Sequence, residues 1–214
     1  MASCTCVYLH GFLSSHHSQK AQWFKQTLPS LVANIHPQMQ CQVLTPNYPM
    51  RHPYESVDYL EHAIKQAGLV DLEHNKKWFL VGSSMGGFYA QYLGHAFNRP
   101  YIMINPALDP IGLFTQYQGT HVNPHTQEII NINQWYRDDL KDYYQHPSQE
   151  IASLLLLDRG DEVIDYQIAQ RLYSVKQPLH KTQVFEGGDH AFQNLDNAKA
   201  MIQKFVKEAV LHIE

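Results

Sequence analysis

The stretch Leu80-Val81-Gly82-Ser83-Ser84-Met85-Gly86-Gly87 constrains this chain more than any other. An apolar run with strand character, starting at Trp78, breaks into G-x-S-x-G, and helical spacing begins at Phe88. A serine at such a junction stands on a tight strand-to-helix turn that exposes its hydroxyl. The turn strains the Ser84 backbone, and side chains at positions 82 and 86 would clash with the neighbouring strand and helix. Ser83 is the rival nucleophile, but Val81 occupies the place of its first glycine, which leaves Ser84.

Short apolar runs alternate with segments of helical period along the chain, the pattern of βαβ units and a mainly parallel sheet flanked by helices. The expected strands are Thr5 to Leu9, Gln42 to Leu44, Trp78 to Val81, Tyr101 to Ile104, Ser153 to Leu157 and Lys181 to Phe185. Tyr54, Val57, Leu60 and Ile64 repeat at helical spacing, with Pro53 suited to the first turn and Gly68 to the stop. Ala198, Met201, Ile202, Phe205, Ala209 and Val210 line one face of a terminal amphipathic helix. Residues 105–149 are rich in Asn, Gln, Tyr and His and lack a sustained period, except around Trp135 to Tyr144. A cap or long loop over the site is expected there, with a single α/β domain spanning 1–214.

Serine is a weak nucleophile unless a base lies within hydrogen-bond reach and a third group orients that base. In a sheet of this kind the acid and then the histidine follow the serine in chain order. The sequence supplies Leu157-Asp158-Arg159-Gly160-Asp161-Glu162-Val163 and then Gly187-Gly188-Asp189-His190, each just after an expected strand. His190 is therefore the expected base. Asp158, Asp161, Glu162 and Asp165 crowd one loop, and Asp161 is the favoured acid. Two backbone N–H groups must also face the oxyanion of a tetrahedral intermediate. Met85, directly after the nucleophile, supplies one; Phe12, in the loop His10-Gly11-Phe12 after the first strand, is the candidate for the other.

Taken together, His10-Gly11-Phe12, Gly82-Ser83-Ser84-Met85-Gly86-Gly87, Gly160-Asp161-Glu162-Val163 and Gly187-Gly188-Asp189-His190 resemble the α/β-hydrolase superfamily. Within it the chain is most similar to small bacterial YqiA-type esterases. Further cues are Leu13-Ser14-Ser15 leading to Ser18-Gln19-Lys20-Ala21, the Asn105-Pro106-Ala107 turn, and Asp161-Glu162-Val163-Ile164-Asp165-Tyr166. The resemblance implies esterase activity through Ser84, Asp161 and His190, with no metal and no organic cofactor.

Composition narrows the partners. The formal net charge is −4, and no basic run exceeds Lys76-Lys77, so nucleic acid is not expected. No window approaches the length of apolar residues that a membrane span needs, and the first residues lack a signal-peptide pattern. A cytoplasmic protein is expected. Cys4, Cys6 and Cys41 are an odd set for a disulfide framework, and Cys4 and Cys6 read as apolar filler on one strand face. His121 and His125 stand four apart, but Pro124 between them argues against a metal-binding helix.

The expected activity is hydrolysis of a carboxylic ester of a short to medium acyl group through an acyl-enzyme on Ser84. The alternatives keep the triad and change the substrate, to an acyl thioester, a lactone or a peroxide-forming acid. A non-catalytic ligand-binding protein of the same fold is the reading from another class.

Overall fold

The computed structural model describes residues 2–70, 76–174 and 178–213. Its centre is a six-stranded sheet in the order β2-β1-β3-β4-β7-β8, parallel at every pairing. The strands are β1 (Ser3–Leu9), β2 (Gln40–Leu44), β3 (Lys77–Ser83), β4 (Tyr101–Ile104), β7 (Ser153–Asp158) and β8 (His180–Phe185). All six coincide with the expected strands, with ends moved by two residues at most. The helices are α1 (Gln19–Ile35), α2 (Pro53–Gln66), α3 (Met85–Phe97), α4 (Pro110–Gln116), α5 (Gln134–Asp139), α6 (Tyr166–Leu172) and α7 (Leu195–Phe205).

Both faces of the sheet are covered, which is why its inner strands read as short continuous apolar runs rather than alternating ones. Side chains still alternate between the two faces. Val7, Leu9, Leu80, Met103, Leu155 and Leu157 point to the face packed by α2 and α3. Cys4, Cys6, Tyr8, Phe79, Val81, Ile102, Leu154 and Leu156 point to the other, against Phe24 and Leu28 of α1 and Ile202 of α7. Cys4 and Cys6 are fully buried on one face, as filler should be. Burial pushes the Cys6 thiol up, and a contact with Cys41, followed by burial, raises that of Cys4, so neither is activated as a thiolate.

Local signals explain the helix ends. The Ser18 hydroxyl accepts from Ala21 N–H at the start of α1, and Pro53 occupies the first turn of α2. Asn98 closes α3 in the left-handed conformation, φ 50°. The terminal amphipathic segment is not a uniform helix: α7 ends at Phe205 and a π-helical turn, Val206–Val210, carries the apolar face onward.

Residues 105–149 hold more regular structure than their composition suggests. After α4 comes an antiparallel hairpin, β5 (Gly119–Val122) with β6 (Ile129–Ile132), then α5 and a 3-10 turn, Leu140–Tyr143. Four-residue strands give too short an alternation to read, and only Ile130 and Ile132 of β6 face inward. Asn133 caps α5 by accepting from Tyr136 N–H, and Asp109 caps α4 by accepting from Gly112 N–H.

Burial sets the sensitivity of the fold. Leu155→Ala, which deletes a fully buried side chain of β7, should lower the unfolding free energy by about 2–5 kcal/mol in urea denaturation. Ile129→Ser, on the exposed face of the hairpin, should change it by no more than about 0.5 kcal/mol.

Candidate active site

Ser84 sits between β3 and α3 with φ 55° and ψ −123°, a backbone conformation that L-residues rarely adopt. Three backbone hydrogen bonds hold it: Ser84 N–H donates to Ile104 C=O at 3.0 Å, and Ser84 C=O accepts from Gly87 N–H and Ala107 N–H. A methyl group at position 82 would lie 2.0 Å from the Gly86 carbonyl oxygen, and one at 86 would lie 2.2 Å from that of Leu9. The glycines let α3 start directly against β1 and β3, which forces the turn. Ser83 is the last residue of β3 and is buried, whereas Ser84 is partly exposed.

The structure brings Ser84, His190 and Asp161 together although 106 positions separate the first pair. His190 Nε2 lies 3.1 Å from Ser84 Oγ, and His190 Nδ1 lies 2.9 Å from Asp161 Oδ2 and 3.0 Å from Oδ1. A carboxylate can only accept, so Nδ1 carries the proton and the Nε2 lone pair faces the serine hydroxyl. The Asp161 side chain is 1% exposed, and its Oδ1 also accepts from Val163 N–H and Ile164 N–H at 2.9 Å.

The other acidic residues of that loop do not touch the imidazole. Asp158 is fully buried at the end of β7; it accepts from Gln193 N–H at 2.8 Å and from Asn194 Nδ2 at 2.7 Å. Glu162 accepts from His190 N–H at 3.0 Å, and Asp165 caps α6. The Asp161 and His190 loops are joined by continuing the β7–β8 ladder: Arg159 N–H donates to Phe185 C=O and Gly160 N–H to Gly187 C=O. Asn105, with φ 41°, ties both loops to the end of β4. Its Oδ1 accepts from Asp158 N–H at 2.8 Å and its Nδ2 donates to Asp189 C=O at 2.9 Å. Lys20 of α1 donates to Ala191 C=O at 2.7 Å.

These positioning roles of Asn105, Asp158 and Lys20 escape a reading of the sequence. The one available signal is the Asn105-Pro106-Ala107 turn after a strand, since Asn tolerates a positive φ.

The His10-Gly11-Phe12 loop lies over Ser84: a methyl group at position 11 would be 3.1 Å from Ser84 Cβ. Neither Phe12 N–H nor Met85 N–H donates to a backbone carbonyl in the described turns and caps. The Phe12 ring packs edge-on against Phe114 and His121 of the 105–149 segment, centroids 4.9 and 5.8 Å apart. His121 itself lies in β5 and bonds Tyr117 C=O through Nε2, while His125 follows the strand in a turn. His10 is 1% exposed and stacks on Tyr48 at 4.4 Å; its Nδ1 bonds Gly11 C=O at 2.9 Å and must therefore donate. Burial pushes its ionisation down from 6.5 to about 4.

That shift makes stability depend on pH. Between pH 6.5 and about 4 the unfolded chain protonates His10 while the folded protein keeps it neutral. Its contribution is present in full above 6.5, declines as pH falls toward 4, and amounts to roughly 3 kcal/mol. Urea denaturation at pH 7 and pH 4.5 should show a smaller loss in His10→Phe than in the wild type. Asp158→Ala strands two donors of the His190 loop and should cost about 1–3 kcal/mol, with faster hydrogen exchange at Gln193 N–H.

Similarity to other proteins agrees with this architecture. A UPF0227 protein of Serratia proteamaculans is 27% identical over 93% of this chain and 97% of its own length. The UPF0227 protein YcfP of Salmonella typhimurium is 22% identical over the same shares. Among solved structures, Est1E of Butyrivibrio proteoclasticus with ferulic acid bound superposes with a TM-score of 0.75 at 13% identity. That match covers 98% of this chain and 90% of that one. An esterase of Pyrococcus furiosus gives 0.66 at 14% identity over 98% and 83%. The shared fold is that of the α/β hydrolases. Residues 5–207 match the uncharacterised protein family UPF0227, and the chain belongs to that family.

Proposed function

We propose that this protein is a serine hydrolase that cleaves a carboxylic ester of a short to medium acyl group. One observation carries the reading: a hydroxyl raised on a positive-φ turn, hydrogen-bonded to an imidazole whose other nitrogen is held by a buried carboxylate. Ser84, His190 and Asp161 are the nucleophile, the base and the acid. Ser84 Oγ attacks the ester carbonyl carbon as His190 Nε2 takes its proton, and the resulting imidazolium is stabilised by Asp161. The oxyanion is received by Met85 N–H and Phe12 N–H. His190 then returns the proton to the departing alcohol, leaving the acyl group on Ser84. Water, deprotonated by His190, attacks that ester and releases the carboxylic acid.

Two further observations support the substrate class. The partly exposed Phe12 ring gives the proposed oxyanion loop an apolar surface and is backed by the buried rings of Phe114 and Tyr136, with successive centroids 4.9 and 5.5 Å apart. The structural relatives include esterases, one of them with ferulic acid bound. We assign residues 105–149 as a cap on the site. Its Asn123 Nδ2 donates to Ser14 C=O in the loop that follows Phe12. The substrate is a small molecule, and among the described residues no helix is long and apolar enough to cross a membrane.

Release of p-nitrophenol from acetyl, butyryl and octanoyl esters tests the reading. Turnover should be highest with the shorter chains, abolished in Ser84→Ala and reduced by about 10³–10⁴-fold in Asp161→Asn. A fluorophosphonate probe should label the wild type and not Ser84→Ala. Equal turnover in wild type and Ser84→Ala would refute the assignment.

A further inference from the structure

At the end of the sheet away from Ser84, the first rung holds two thiols side by side. Cys4 of β1 and Cys41 of β2 are register partners on adjacent parallel strands, so their side chains leave the same face of the sheet, and there they touch each other. Lys77 of β3 stands opposite Cys4 on its other side. Cys4 is fully buried, whereas Cys41, on the edge strand, is half-buried. Six positions separate Cys4 from His10, so the pair lies roughly 20 Å from the loop over Ser84.

The two thiols are unequal. The Cys41 thiol is pulled down by its hydrogen bond with Cys4, against the effect of burial. That of Cys4 is pushed up by the same contact and by burial, with the charge of Lys77 acting in the opposite sense. In thiol–disulfide exchange the lowered, reachable thiol attacks, and a second thiol in contact with it resolves the product. Register partners on neighbouring strands have Cα atoms roughly 4.8 Å apart, inside the window of about 4.4–6.8 Å that a disulfide spans. The bridge needs Cβ atoms about 1 Å closer than the strand spacing. That movement is open to β2, which is paired on one side only. Cys6 shares the face but lies roughly 6.6 Å along the strand from Cys4, and its own partner in β2 is Val43.

We propose that Cys41 and Cys4 form a modification site for small-molecule disulfides, in which Cys41 captures and Cys4 resolves, leaving a reversible Cys4–Cys41 bond. The Cys41 thiolate attacks one sulfur of glutathione disulfide. The Cys41–glutathione bond forms as the glutathione S–S bond breaks, and a glutathione thiolate departs. Cys4 then gives up its proton and attacks Cys41 Sγ, expelling the second glutathione thiolate. Two protein thiols are oxidised, one small disulfide is reduced to two thiols, and the two protons end on glutathione. The new bond ties the edge strand of the sheet to its neighbour. With three cysteines in the chain, Cys6 stays reduced.

Folded protein incubated with glutathione disulfide, quenched in acid and mapped by peptide mass spectrometry tests this. Wild type should fall from three thiols to one, with Cys4 and Cys41 in one cross-linked peptide pair, and dithiothreitol should restore all three. Cys4→Ala should stop at Cys41 carrying glutathione. Cys41→Ser should lose thiols at least about tenfold more slowly than wild type, because the buried Cys4 is reached only through Cys41. If Cys4→Ala does not fold, early quenching of the wild type serves instead, with glutathione expected on Cys41 before the cross-link appears. Three thiols surviving in the wild type would overturn the proposal. So would a bond that includes Cys6, or thiol loss in Cys41→Ser as fast as in the wild type. The readout is the state of the thiols, so it stands whether or not Ser84 proves to be a nucleophile.

Discussion

The arrangement at the carboxyl end of the sheet depends on a contact that only glycine allows. Gly86, in the first turn of α3, lies against the carbonyls of Leu9 and His10 at the end of β1, so close that a methyl group would overlap them. With Gly82 equally close to Gly86, helix and strands meet without a spacer and the residue between them is driven to positive φ. The same approach brings the loop after β1 over Ser84, so the serine and the proposed oxyanion donors are set by one steric fact. The strain at Ser84 is offset by the three backbone hydrogen bonds that fix its peptide groups.

The second half of the site is built on electrostatics rather than packing. A buried carboxylate is costly unless it is hydrogen-bonded, and the structure satisfies two of them side by side. Asp161 spends its acceptors on two backbone N–H groups and His190; Asp158 spends its own on the chain just beyond His190. One holds the imidazole directly and the other holds the loop that bears it. Asn105 links them to β4 through an amide that accepts on one side and donates on the other.

The framework was legible for a physical reason. Inner parallel strands are buried on both faces, so Tyr101 to Ile104 and Ser153 to Leu157 stand out as apolar runs between turn residues, and G-x-S-x-G carries its own steric logic. The choice between Asp158 and Asp161 is less sharp, because spacing and chain order favour an acid in that loop but cannot show which carboxylate faces the imidazole. The positioning amide of Asn105 was invisible as such, since its partners lie on two other loops. The hairpin at β5 and β6 escaped because Val122 and Ile129 are exposed and break the expected alternation.

The anchoring of residues 105–149 divides the labour of the protein. Beyond Asn105, their described hydrogen bonds reach Ser14, Met50, Arg51, Ser84, His95 and His180, and their rings reach Phe12 and Tyr92; none of these contacts falls on the Asp161 or His190 loops. The segment can therefore drift in sequence, or be exchanged between relatives, while Asp161 and His190 keep their geometry. The segment and the imidazole's support are free to evolve on separate clocks, and a designer could graft a foreign segment after Pro106 without rebuilding that support.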